Sequence, residues 1–316
     1  MAFITLSQAA ARANVSLDTI RRRIKDGVLQ EYRDGTRARV DDRELDRLFP
    51  RILSAAPPVL PKLTCRVIAV ANQKGGVGKT STCANLATAL SAGGARVLAV
   101  DCDPQGNLTQ AFGPDPDALD VTLYNVLIER QPLEKALLNP VLGLPGLSLV
   151  GANLELAAAD LQLGNAVARE SRLRQVLEPH LSFYDYVFID CPPALGLLTL
   201  NALTAATEVI VPVEMGVFSL RGVSKLMDTI SEVRSINPGL RRIRALSNRS
   251  DNTNLSLDVQ AELKRSFGDD LFQTVIRRSV KVGEAQAAHL PITVYRPKDP
   301  AAKDYRDLAE EVKNAA

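Results

Sequence analysis

The sequence predicts an α/β protein, a doubly wound and mostly parallel sheet preceded by a small separate domain. Two observations carry that prediction. Short apolar runs recur at Val67–Ala71, Arg96–Val100, Ser148–Val150, Tyr186–Ile189, Glu208–Val213 and Ile243–Ser247, and longer helical patterns separate them. Such alternation marks parallel strands joined by crossover helices. Ahead of them, Pro50 to Thr64 carries Pro50, Pro57, Pro58 and Pro61 with little charge and no periodicity, which reads as a semi-extended linker. The expected units are 1–49, a linker over 50–64, and 65–316.

The length of 316 residues suits two domains, and the net charge of +2 argues against a protein that is basic throughout, so any basic patch must be local. Cys65, Cys83, Cys102 and Cys191 show no CxxC spacing and lie far in sequence from His180 and His289. They read as reduced, mostly buried residues. The N-terminus lacks the apolar core of a signal peptide and no run approaches a membrane span of about 18 residues, so the expectation is a cytoplasmic protein.

In the first domain, Ser16 is placed to cap a helix from Leu17 to Asp26, and Gly27 to end it in a left-handed conformation. Leu17, Ile20 and Ile24 share one face of that helix. Asp18, Thr19, Arg22 and Lys25 then face away, flanked by Arg21 and Arg23. An earlier helix over about Gln8–Ala13 precedes it by a turn through Asn14 and Val15, which is helix-turn-helix spacing. Beyond it, Gln30–Arg33 and Arg37–Val40 alternate around Asp34-Gly35, a hairpin that puts Arg37 and Arg39 on one face. The candidate DNA contacts here are Thr19, Arg21, Arg22, Arg23, Lys25, Arg37 and Arg39.

The second domain opens with the stretch its chemistry is organised around. Lys74-Gly75-Gly76-Val77-Gly78-Lys79-Thr80-Ser81 follows the first strand and starts a helix. Glycines there leave successive N–H groups free to turn toward a phosphate at the positive end of that helix, Lys79 adds a charge, and Thr80 offers a hydroxyl to Mg²⁺. In the ordinary loop pattern the first glycine would stand where this chain has Gln73, and a second lysine, Lys74, follows it. Asp101 and Asp103 end the next strand in Asp-Cys-Asp-Pro-Gln-Gly-Asn, and Asp190 ends another in Phe-Ile-Asp-Cys-Pro-Pro. A carboxylate at a strand tip can hold Mg²⁺ directly or through water, so Thr80, Asp101 and Asp190 are the metal candidates. Asn248, at a strand end, is a candidate for hydrogen-bonding adenine or for a turn.

KGGVGKT resembles the deviant Walker A motif of the family that includes ParA partition ATPases, MinD and the nitrogenase iron protein. DCDPQGN, YDYVFIDCPPALGLLTLNAL, VIVPVE…F-S-L-R-G and TVIRRSVKVGEA…Y-R-x-L-A-E-E-V narrow the resemblance to ParA-type DNA-partitioning ATPases, over residues 65–313. It implies ATP and Mg²⁺ as cofactors. Lys79 and the loop glycines would hold phosphate, Thr80 would meet Mg²⁺, and Asp190 would position Mg²⁺ through water. Asp103 would activate or orient the attacking water, and Lys74 would reach across a dimer interface. SQAAARANVSLDTIRRRIKDGVL followed by R-x-G-x-R resembles the winged helix-turn-helix of MerR-type and excisionase-type proteins, with Arg23 where an aromatic is common.

The family's D-G-R-T segment corresponds to Asp251-Asn252-Thr253-Asn254, which lacks its arginine, so Arg249 is the substitute DNA contact. Arg277, Arg278 and Lys281 form the other basic segment, with Arg277 in place of a usual proline. The reading that follows is an ATP-dependent, dimerising, nucleoid-associated ATPase driving chromosome or plasmid partition with DNA and a ParB-type partner. Its alternative is a nucleotide-sensing transcriptional regulator. A membrane-anchored positioning ATPase is disfavoured by the acidic segment Asp304–Ala316.

Overall fold

The structure is a computed structural model that describes residues 3–13, 17–35, 37–44, 65–164, 166–216, 219–251 and 253–315, without the side chains of 11–13, 34, 37 and 219–222. Its contacts divide the chain into two compact units, Met1–Leu63 and Thr64–Ala316. The Ser16 cap, the Asn14-Val15 turn and the 50–64 linker lie outside the described residues.

The small unit runs β1 (Phe3–Thr5), α1 (Leu6–Ala13), α2 (Leu17–Lys25), β2 (Tyr32–Asp34) and β3 (Arg37–Asp41), with an antiparallel sheet ordered β1-β3-β2. Thr5 and Gln8 cap α1 reciprocally: Gln8 N–H donates to Thr5 Oγ1 at 3.3 Å and Thr5 N–H to Gln8 Oε1 at 3.0 Å. Gly27, at φ +71°, ends α2 in the left-handed region as expected, and Gly35, at φ +63°, turns the hairpin. Ala9, Ala10, Ile20, Leu29 and Val40 are buried together, with Ile4, Leu6, Leu17 and Ile24 packed against them. Because Val40 faces this core, strand alternation sends Arg39 to the opposite face, across from Tyr32.

In the large unit the strands are β4 (Arg66–Val70), β5 (Val97–Asp101), β6 (Leu137–Leu138), β7 (Leu147–Val150), β8 (Tyr186–Asp190), β9 (Glu208–Glu214) and β10 (Arg242–Asn248). They form one sheet ordered β10-β9-β4-β8-β5-β7-β6, parallel except where β6 runs against β7. The six expected strands are present; β6, two residues long, is too short to show any period. The long helices are α3 (Lys79–Ala92), α4 (Leu197–Ala205), α5 (Ser219–Ile236), α6 (Asn254–Phe267), α7 (Val280–Ala287) and α8 (Pro300–Asn314).

Both faces of the sheet are covered. Val67, Ala69, Val187 and Ile189 share one core with α4, α5 and α6, while Ile68, Val70, Val97 and Ala99 share the other with α3 and α8. That explains strands that are apolar at every position instead of alternating. Since β4 lies between β9 and β8, and β8 beside β5, the loops leaving their C-terminal ends converge where the sheet order reverses.

Candidate nucleotide-binding site

The loop after β4 turns through Gly76 at φ +74° and Gly78 at φ +89°, and α3 begins at Lys79. A side chain on Gly78 would collide with the Asn248 amide, so this turn requires glycine twice over, for conformation and for space. Lys79 is 7% exposed, and its Nζ donates to the Lys74 carbonyl at 3.2 Å. Burial pulls its pKa down, opposed by the neighbouring acidic groups, Asp190 foremost. In front of the loop lies a cleft of about 470 Å³ whose walls include Gly75, Gly76, Lys79, Thr80, Ser81, Asp103, Arg249 and Gln286. A smaller cavity of about 230 Å³ shares Gly78, Ser81, Arg249 and Gln286 with it, and Asn248, Arg277, Arg278 and Ser279 also line it. Gln286 was not expected in the site; it fastens α7 to α3 by donating to Ser81 Oγ at 2.9 Å.

Asp190 is fully buried at the tip of β8, and neither carboxylate oxygen meets a donor at hydrogen-bonding geometry among the described residues. Burial drives its pKa well up and nearby Asp101 adds to that, while the neighbouring Thr80 hydroxyl works against it. Two bare acceptor oxygens beside a hydroxyl and a cleft make a donor set that fits a divalent cation. No group of three or more His, Cys, Asp or Glu side chains fit to hold a metal occurs among the described residues. Asp103 lines the cleft and anchors its own turn, accepting from Gln105 N–H at 3.0 Å.

Two of the candidates have intramolecular partners in this structure. Asp101, a metal candidate, lies behind the cleft with both oxygens engaged. Oδ1 accepts from Asp103 N–H at 3.2 Å, and Oδ2 accepts from the N–H and hydroxyl of Thr109 at 2.8 and 2.7 Å. Thr109 in turn accepts from Ala152 N–H, so Asp101 ties the Asp103 turn to the neighbouring strand end. Asn248, the adenine candidate, is committed to the loop: its Nδ2 donates to the Val77 carbonyl at 2.7 Å and its Oδ1 accepts from Arg249 N–H at 2.9 Å. It braces the phosphate loop from behind. Lys74 points to Glu214 at the end of β9, with Nζ 2.8 Å from Oε2. Glu214 belongs to a motif noted in the sequence but had no assigned role.

An AAA domain family model matches residues 65–242. The sporulation initiation inhibitor protein Soj of Bacillus subtilis is 40% identical over 249 residues, which cover 78% of this chain and 98% of Soj. The chromosome partitioning protein ParA of Caulobacter vibrioides is 43% identical over 251 residues, covering 78% and 93%. The chain belongs to the ParA family of ATPases. A solved structure from Mycobacterium smegmatis, described as cobyrinic acid a,c-diamide synthase with a bound ATP analogue and magnesium, matches with a TM-score of 0.68 at 38% identity, over 78% of this chain and 93% of that one.

Several of the basic residues singled out in the sequence of this ParA-family chain are paired with carboxylates. Arg277 pairs bidentately with the buried carboxylate of Asp304, at 2.7 and 2.8 Å. Lys281 pairs with Glu284 at 2.6 Å, and Arg249 lines the cleft with Nη1 3.6 Å from Glu214. All three therefore stand in ion pairs in this structure. Arg278 has no ion pair among the described residues. In the small unit Arg21, Arg22, Arg23 and Lys25 are exposed, although Arg21 stands 3.5 Å from Asp18 and Arg22 4.0 Å from Asp26. Thr19 and Arg39 are half-buried, and the Arg37 side chain and Asn252 lie outside what is described. All four cysteines are free thiols, and no described helix is long and apolar enough to cross a membrane.

Proposed function

We propose that the large unit binds ATP with magnesium in the cleft after β4 and uses its hydrolysis as a slow switch that drives DNA segregation. The observation that carries this reading is Asp190, a fully buried carboxylate whose two oxygens meet no donor at hydrogen-bonding geometry among the described residues, beside the Thr80 hydroxyl at the base of a glycine-rich loop. The relatives named for chromosome partition and the neighbour described with an ATP analogue and magnesium support it.

In this reading the backbone of Gly75 to Gly78, with Val77 between, cradles the phosphates, Lys79 meets their charge, and Ser81 closes the cradle at the start of α3. Thr80 and Asp190 hold the metal, Asp190 through water. Magnesium bound there neutralises phosphate charge. Asp103 orients the attacking water from the cleft wall, and the base extends toward the smaller cavity behind Gly78. Lys74 reaches the nucleotide of a second copy, so ATP favours a dimer. The dimer binds DNA, and a ParB-type partner stimulates hydrolysis and release in the cytoplasm at the nucleoid.

The small unit is read as a winged helix-turn-helix, with α2 as the element that meets DNA. Its exposed Arg21, Arg22, Arg23 and Lys25 favour a second reading as well, a nucleotide-sensing transcriptional regulator. One experiment tests the switch. Sedimentation of Asp103→Ala with ATP and Mg²⁺ is expected to show a trapped dimer, and a monomer at saturating ATP overturns the assignment. Hydrolysis assayed with DNA and with a neighbouring ParB-like product separates the two readings, since a regulator needs a single operator and no such partner.

A further inference from the structure

The cleft and the smaller cavity behind Gly78 meet at a junction, because Gly78, Ser81, Arg249, Val282 and Gln286 line both. A nucleotide with its phosphates on the loop and its base directed toward the smaller cavity passes through that junction. Gly78 brings no side chain to it, Val282 no polar atom, and the Arg249 guanidinium offers donors only. Asn248 is engaged at both ends of its amide, with the Val77 carbonyl and with Arg249 N–H. Apart from Ser81 at the loop itself, Gln286 is thus the junction side chain that carries both a donor and an acceptor.

The helix bearing Gln286 is firmly mounted. Ser279 caps α7, its Oγ accepting from Lys281 N–H at 3.2 Å, and Ala285 is buried in the core shared with α3. Just past the helix, Asn85 Oδ1 of α3 accepts from both the N–H and the hydroxyl of Thr293 at 3.0 Å. From this base the Gln286 amide reaches Ser81, Nε2 donating to Oγ at 2.9 Å. Ser81 is buried, and among the described residues its hydroxyl proton has no acceptor.

Counting protons then fixes the amide. A hydroxyl has one proton and two lone pairs, and a primary amide has one acceptor oxygen and two N–H donors. Once a phosphate oxygen takes the Ser81 proton, Oγ can only accept, and Gln286 keeps an N–H turned toward it. Oε1 and the second N–H are left for the junction. That pair complements an exocyclic amine beside a ring nitrogen, the pattern by which glutamine reads adenine.

We infer that Gln286 is a specificity-determining residue that reads the 6-amino group of an adenine base, with Ser81 setting the orientation of its amide. This rests on the nucleotide-binding reading above and deepens it by naming the group that tells ATP from GTP. Guanine carries an oxygen in place of that amine, and two acceptors would then face each other. Gln286 is exposed, so an unmatched amide turns to water, and the discrimination is about fivefold instead of the roughly 10⁴-fold of an enclosed site.

The test is competitive displacement of a ribose-labelled fluorescent ATP analogue from the full chain with Mg²⁺, using ATP, GTP and purine riboside triphosphate, which lacks the 6-amino group. Wild type is expected to bind ATP about fivefold more tightly than either competitor. Gln286→Leu should bring ATP to within about twofold of purine riboside triphosphate. Ser81→Ala, with Gln286 in place, should bring GTP to within about twofold of ATP, because the amide is then free to turn over. Either variant keeping the wild-type preference overturns the proposal. Should Gln286→Leu fold poorly in a thermal melt, Gln286→Met gives the same comparison. Wild type that binds all three nucleotides alike overturns this inference and leaves the nucleotide-binding reading standing, whereas wild type that binds none of them overturns both.

Discussion

Asp101 and Asp190 stand side by side at the tips of adjacent parallel strands, both fully buried, and the fold treats them in opposite ways. Asp101 accepts three hydrogen bonds and stitches the Asp103 turn to Thr109, whereas Asp190 has only the Thr80 hydroxyl close by, outside hydrogen-bonding geometry, among the described residues. A buried carboxylate with all its partners supplied by the chain is a structural tie. One left bare beside an open cleft is held ready for a ligand, because burial without a partner costs stability that folding does not recover. The same distinction separates Lys79, buried and aimed at the loop, from Arg277, whose charge Asp304 already neutralises.

The largest expected effect tests the loop end of this comparison. Lys79→Ala should weaken ATP binding by about 100-fold or more, since a buried cation is lost from a phosphate site, while Asp103→Ala should leave binding within a few-fold and abolish turnover. Calorimetric titration beside a single-turnover assay reads both, and matching losses in the two variants would break the assigned roles.

The two aspartates themselves come next. Asp101→Asn should lower stability by about 1–3 kcal/mol, because an amide presents a donor to groups that are donors already. Asp190→Asn should leave stability unchanged or raised by up to about 1 kcal/mol while removing Mg²⁺-dependent hydrolysis. Denaturant unfolding of both variants, without nucleotide, decides this by sign. A pH series sharpens it. Burial raises the Asp101 carboxyl from 3.8 to about 7, so the stability it contributes is present at low pH and lost as pH rises through that range. Asparagine does not titrate, and the deficit of Asp101→Asn should therefore shrink between about pH 4 and about pH 7.

Smaller effects belong to the cationic surfaces. If paired charges contribute little to DNA binding, Arg278→Ala should lower the log–log salt slope by about 0.9, whereas Arg277→Ala should lower it less and reduce stability instead. Salt titrations of non-specific DNA binding compare the two. Smallest for the ATPase is the small unit: Arg22→Ala, or a chain starting at Cys65, should leave hydrolysis intact. The change should appear in footprints on an inverted repeat, where ATP should strengthen wild-type binding by bringing two copies onto one duplex. Identical footprints from all three proteins would assign this unit to another task.

Much of the fold was legible because its signals are local. The six long strands announce themselves as apolar runs, and turns such as Gly27 and Gly35 need glycine wherever they occur. The phosphate loop was legible for the same reason, since glycines, lysine and hydroxyl fall within one strand-loop-helix passage. The partners of Asp101, Asn248, Arg249 and Arg277 were not, because each is a group that sequence spacing does not bring near.

By itself the sequence determined the alternating α/β framework, the glycine-lined loop and the order of its aspartates, all set by spacing within a few residues. The tertiary structure alone decided which aspartate is left bare, that Asn248 braces Val77 from 171 residues away, and that Lys74 meets Glu214 across 140 residues. The physical reason is that a charged or polar group acts through whatever neutralises it, and that partner is chosen by how strands lie beside one another in the sheet.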